Sequence, residues 1–210
     1  MSNKDTMTRL YPVSQIGRVL KIAREGSCQE EQRTKRNLAE TLGITARRLT
    51  AIEEGEAPCS LDLAIEWCRA VKDYTALSKI LHMFDLGLPA TNPLLLEDPL
   101  QQILNFRRQA AQAIDAITEL MDLSVRMRPD DVMADRFPTD FYKCAEEILD
   151  MKQASEALLT SMAINWGLDR DKLRRSWTQE ALVDGVIVNS VTHYEEIKRE
   201  KFFIERTATL

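Results

Sequence analysis

The residues best suited to chemistry in this chain are fixed cations gathered in one short stretch. In TKRNLAETLGITARRLTAIEEG, residues 34 to 55, Lys35, Arg36, Arg47 and Arg48 stand among Thr45, Ala46, Thr50 and Ala51. Such side chains neutralise phosphates and donate to hydrogen-bond acceptors. Other chemistry has little to draw on. His82 and His193 have no cysteine or carboxylate at a ligand-like spacing, so each reads as a packing or surface residue and no metal site is expected. Cys28, Cys59, Cys68 and Cys144 form no CxxC pair and read as reduced thiols. The glycines make no phosphate loop, and Glu146-Glu147 and Glu195-Glu196 follow helix surfaces as solvated faces. No catalytic residue and no cofactor is expected, and the chain reads as a non-enzyme.

The cations are positioned by two short predicted helices. The first carries Leu38, Ala39 and Leu42 on one face. Gly43 supplies a turn where positive φ is cheap, and Ile44 fills the gap behind it. Thr45 is a preferred N-cap for the second, Leu49 and Ile52 fall at core spacing, and Gly55 closes it. A side chain larger than Ala39 would push the helices apart where they cross. Ala39, Gly43, Leu49 and Ile52 together describe a helix-turn-helix corner.

The flanking segments supply its context. Ile16, Val19, Leu20 and Ala23 repeat at helical spacing and predict a helix over 14 to 25. Ser60 caps a fourth helix with Leu61, Ala64, Ile65, Cys68 and Val71 as its buried stripe. Leu77, Ile80, Leu81 and Phe84 mark a fifth, stopped by Gly87 and Pro89. Over roughly residues 14 to 86 these features resemble the lambda-repressor and Cro type of helix-turn-helix domain of phage and bacterial regulators. One departure is GSCQEEQR, residues 26 to 33, which is longer than that family's usual connection between its first two helices.

The resemblance implies a role for each cation. A recognition helix of about 45 to 54 enters the major groove of double-stranded DNA with its N-terminal residues towards the base edges, which nominates Thr45, Ala46, Arg47 and Thr50, with Ala51 one turn on. Arg47 suits a bidentate grip on guanine, whereas Ala46 and the threonine methyls suit thymine methyls. Lys35 and Arg36, at the start of the preceding helix, suit phosphate positioning, and Arg48 suits either task.

Net charge does not oppose this reading, although it is -5. Residues 1 to 73 hold 12 Lys and Arg against 11 Asp and Glu, while 74 to 210 hold 16 against 22, so the acidity belongs to the C-terminal part. Arg18, Lys21, Arg33, Lys35, Arg36, Arg47 and Arg48 surround the motif. No apolar run is long enough for a membrane span, and MSNKDTMTRL has no apolar signal core, so a cytoplasmic chain is expected.

Three prolines in GLPATNPLLLEDP, residues 87 to 99, predict a hinge. Beyond it lies a helical body. Over 100 to 127, Ile103, Ala110, Ile114, Ile117 and Met121 alternate spacings of three and four, broken only by Arg107. A second long helix over about 139 to 165 carries Cys144, Ile148, Met151, Leu158 and Met162 on one face. Stripes of this kind pack within a bundle or between subunits. Residues 162 to 176, MAINWGLDRDKLRRS, repeat the order of 38 to 52, which reads more economically as a helix-Gly-helix corner than as a second reader. Thr192 and Glu195 suggest a capping box for a last helix docked by Tyr194, Ile197 and Phe202.

The expectation is an all-α protein with a lambda-repressor-like head over 1-88, a linker over 89-99 and a helical bundle over 100-210. Its expected function is sequence-specific transcriptional regulation through operator DNA, as a homodimer joined by the C-terminal helices and open to a protein or small-molecule effector. The alternative is a protein-interaction adaptor, antitoxin-like or phage regulatory, whose body binds another protein.

Overall fold

The computed structural model describes residues 10–208, and the side chains of residues 10–201. The N-terminal segment before Leu10 and the side chain of Phe202 therefore lie outside the described residues. Among those described, every regular element is helical: α1 Ile16–Glu25, α2 Lys35–Thr41, α3 Ala46–Glu53, α4 Leu61–Ala70, α5 Tyr74–Met83, α6 Pro99–Val125, α7 Met133–Arg136, α8 Pro138–Trp166, α9 Arg170–Val183 and α10 Val191–Ala208. None is long and apolar enough to cross a membrane.

Short polar side chains set where the first helices begin. Thr34, Thr45, Ser60 and Asp73 accept from the backbone N–H of Asn37, Arg48, Leu63 and Ala76, respectively. Each such cap contributes about 1 kcal/mol. Gly43 at φ 64° and Gly55 at φ 77° end α2 and α3 in the left-handed region, where a Cβ is unfavourable.

Helices α1 to α5 enclose one core built on Leu20, Leu38, Leu49, Ile52, Trp67 and Ile80. The expected stripe of α4 needs correction. Leu63 and Trp67 are buried, whereas Leu61 and Ile65 are half-buried, because the inward face is centred on Ala64, Trp67, Cys68 and Val71. His82 is buried at the margin, its Nε2 accepting from Leu10 N and its Nδ1 3.1 Å from the Gly87 carbonyl.

The closest approach in this core is between two backbones. A Cβ on Gly17 of α1 would stand 2.0 Å from the carbonyl oxygen of Ile52 in α3, with the Glu53 carbonyl 3.2 Å away. Only a residue without a side chain lets α1 cross α3 there.

The chain divides into two compact units, one ending at Asn165 and the other starting at Trp166. Residues 89 to 99 are not an open hinge. Gln153 of α8 donates to the Pro89 carbonyl and the Thr91 hydroxyl, Ser161 and Asn165 donate to the Leu96 carbonyl, and Leu96 itself is buried. At the other end of the pair, burial and the nearby Glu119 of α6 push the Cys144 thiol of α8 above its ordinary value. Helices α6 and α8 therefore run antiparallel.

The expected stripe of α6 is not its inward face. Pro99, Gln102, Ala113, Ala116 and Leu123 are buried, and Phe106, Gln109 and Leu120 half-buried, at the same alternating spacing but one residue out of phase. Ile114, Ile117 and Met121 remain 63%, 44% and 64% exposed. On α8, Cys144 is buried as expected, Ile148, Met151, Leu158 and Met162 are half-buried, and the tightest positions are the small residues Ala154, Ala157, Thr160 and Ser161.

In the second unit, α9 starts at an Asp169 cap that accepts from Asp171 N and Lys172 N. Gly167, at φ 70°, repeats the geometry of Gly43. The likeness stops at packing, since Leu173 is 40% exposed where the corresponding Leu49 is fully buried. The cap before α10 is Ser190, whose Oγ accepts from His193 N, and not Thr192.

Gly17→Ala should lower stability by about 2–3 kcal/mol, as overpacking against rigid backbone does. Urea denaturation followed by circular dichroism measures it, and an unchanged midpoint would mean that the helices separate at no cost.

Candidate nucleic-acid interface

The turn between α2 and α3 is closed by Gly43 N and Ile44 N, which donate to the carbonyls of Glu40 and Ala39. Ala39 is buried at the corner and Ile44 packs against the core behind it. Leu49, Ile52 and Glu53 turn inward, while Thr45, Ala46, Arg47 and Arg48 are exposed and Thr50 and Ala51 half-buried. The outward surface of α3 thus begins with its capped N-terminus and carries two guanidinium groups in the first turn. Partial positive charge from the helix end adds to theirs.

The other nominated cations divide into two sets. Arg36 is exposed on α2, as are Arg18 and Lys21 on α1. Lys35 is turned towards α3, its Nζ 3.1 Å from Thr50 Oγ1 and 3.5 Å from Glu53 Oε2. Arg33 donates from Nε to the Ser27 carbonyl at 2.7 Å. These two cations join elements of the head together. Arg48 lies close enough to Cys59 to favour its thiolate, although burial dominates and pushes that thiol up to about 11.

Beneath the surface is a buried ion pair. Arg24 of α1 donates to both carboxylate oxygens of Glu53, from Nε at 2.6 Å and from Nη2 at 3.2 Å. Its Nη1 reaches the Arg33 carbonyl at 2.5 Å, so one guanidinium ties α1, the end of α3 and the approach to α2. Burial disfavours its charge, but the hydrogen bond and attraction of Glu53 prevail and hold its pKa above the ordinary arginine value.

The long segment 26 to 33 is organised by the same group. It forms a 3-10 turn over Glu30–Arg33, and Ser27 is buried with its hydroxyl donating to the Val71 carbonyl while accepting from Gln29 N. No protein-family model, curated protein or solved structure matches this chain. The geometry of the corner is therefore the basis on which the surface is read.

Arg24 and Glu53 were not among the residues that the motif singles out. Their signal is legible in the sequence, because Arg24 follows Ala23 and Glu53 follows Ile52, both buried, which puts opposite charges beside two faces expected to meet.

Glu53→Gln leaves a buried guanidinium with only the exposed Glu25 carboxylate, 3.2 Å from its Nη2, as counter-charge, and breaking such a buried pair costs about 3–5 kcal/mol. A chemical-denaturation midpoint that does not move would show that solvent, not Glu53, balances Arg24.

Proposed function

We propose that the chain is a sequence-specific DNA-binding transcriptional regulator of the lambda-repressor and Cro type, with α1 to α5 as the head and α3 as the helix that enters the major groove. The observation that carries this reading is the open face of α3, where Thr45, Ala46, Arg47 and Arg48 are all exposed beside the corner that fixes the helix. A base-reading helix needs its first turn free of the protein's own packing. Arg47 is the specificity residue, gripping guanine O6 and N7. Arg36 contacts phosphate, and the exposed Arg18 and Lys21 extend the same positive field.

Lys35 has a mixed role. Its ammonium is shared with Thr50 and Glu53, so it orients the two helices as well as contributing charge at the surface. Two heads joined by the C-terminal helices read a pseudo-palindromic operator, because a two-fold protein matches a two-fold site. An effector, protein or small molecule, acts on the helices beyond the head. The adaptor reading rests on the apolar surface left open on α6, and it requires no DNA contact at all.

Salt-dependent binding to the DNA upstream of its own reading frame separates these functions, measured by fluorescence anisotropy against an unrelated duplex. The regulator requires preference for the upstream duplex and a steep negative slope of log affinity on log salt, about 0.9 per phosphate neutralised. Binding to neither duplex would establish the adaptor instead. Arg47→Ala should cost about 1–3 kcal/mol on the preferred sequence and relax selectivity at one position, while Arg36→Ala should weaken all sequences alike and reduce the slope by about one. Lys35→Ala should give a smaller change in slope than Arg36→Ala, together with a lower unfolding midpoint. Equal losses on every sequence from Arg47→Ala would remove its reading role.

A further inference from the structure

Helix α6 carries two adjacent apolar stripes, and only one is used within the chain. The buried stripe is made largely of small or polar residues, Gln102, Gln109, Ala113 and Ala116 among them. The open stripe contains the larger side chains. It runs Leu100, Ile103, Arg107, Ala110, Ile114, Ile117, Met121 and Ser124, alternating steps of three and four. Leu104 and Val125 widen it on one side, at 50% and 85% exposure. Isolated exposed apolar residues are ordinary, but a row of them along one long helix at heptad spacing is the seam of a helix pair.

Charge selects the occupant and its direction. The N-terminal half of this open surface carries Arg107 and Arg108, and the C-terminal half carries Asp115 and Asp122, all exposed. Arg107 stands in the seam itself. A parallel pair of α6 helices would set Arg107 against its own copy at the centre of an apolar contact, where like charges repel and are poorly solvated. An antiparallel pair levels Leu100 with Ser124, Ile103 with Met121, Arg107 with Ile117 and Ala110 with Ile114. Arg107 and Arg108 then lie beside Asp115 of the other copy.

We infer that α6 is the homodimer seam, and that two copies of this chain pair along it antiparallel about a two-fold axis near Ala110 to Ile114. The two α6–α8 hairpins become a four-helix arrangement, with the open stripes as its inner contact. At about 1.5 Å per residue, the run from Leu100 to Ser124 separates the two α6 N-termini by about 36 Å. Each N-terminus follows the head of its own copy after residues 84 to 98, which are fastened to α8, so the points from which the two heads are carried lie about one turn of B-form DNA apart. This spacing rests on the DNA-binding reading above. The pairing does not, and it is tested without DNA.

Sedimentation equilibrium of the full chain should show a dimer, and Ile114→Asp should weaken it at least about thirtyfold, the loss typical of a central apolar anchor. Because Ile114 is exposed, the helical circular dichroism of that variant should match the parent. A monomeric parent, or a dimer indifferent to Ile114→Asp, would overturn the seam. Direction is read separately in a Cys28→Ser, Cys59→Ser background carrying either Ala110→Cys or Ile114→Cys. Mild oxidation should cross-link the two variants to each other when mixed, more efficiently than either to itself. Self-linking of each variant at equal or higher yield would mean a parallel pair, and would sink the proposal even if the chain is dimeric.

Discussion

The crossing of α1 over the C-terminal end of α3 is the constraint on which the head depends. At Gly17 the two backbones come so close that no side chain fits, and about two turns further along α1 the buried Arg24 holds both oxygens of Glu53. Taking two charges out of water is costly and is repaid only when their hydrogen bonds are well satisfied. Here the guanidinium forks onto the carboxylate and its remaining nitrogen reaches the Arg33 carbonyl. The pair thus does more than offset its own desolvation: it fixes the end of α3 from beneath. With that end held, the opposite end of the helix, Thr45 to Arg48, is left pointing outward.

The same group explains how a long approach between α1 and α2 is accommodated. Extra residues in a surface connection cost little entropy, since closure depends only weakly on length. They do need partners for their backbone groups. Arg24 and the Arg33 side chain supply these at the Arg33 and Ser27 carbonyls, and Ser27 fastens the segment to the end of α4 through Val71. An additional stretch has become part of the head's wall, and the position of Lys35 at the start of α2 follows from where that wall ends.

The helices of the head were legible in the sequence because their signals are local. A capping Thr or Ser, a closing glycine and a period of three and four residues each act within one turn or two, and Thr45, Ser60, Gly43 and Gly55 stand where such signals require. Contacts between distant residues were not legible in the same way. Lys35 reads as an outward cation because nothing in its neighbourhood reveals that Glu53 will lie 3.5 Å away. Trp67 escaped the expected stripe of α4 for a related reason, since periodicity gives a face only to within about one residue, and the partners of that face decide its centre. The N-cap of the last helix is a local miss. Ser190 and Thr192 are both good caps, and hydropathy does not choose between them.

Helix α6 shows the limit of hydropathy most clearly. Its more apolar stripe is the natural choice for a core, yet the chain buries the neighbouring one, built around Ala113 and Ala116. Small side chains line that buried stripe, and alanine, serine and threonine likewise hold buried positions of α8. The same α8 holds the segment after the head through Gln153, Ser161 and Asn165, and Ala163 packs against the head's core. Head and α6 are consequently tied by the helix to which both are attached. The segment that leads from the head into α6 is thus fastened along its length to α8 and does not act as a free tether.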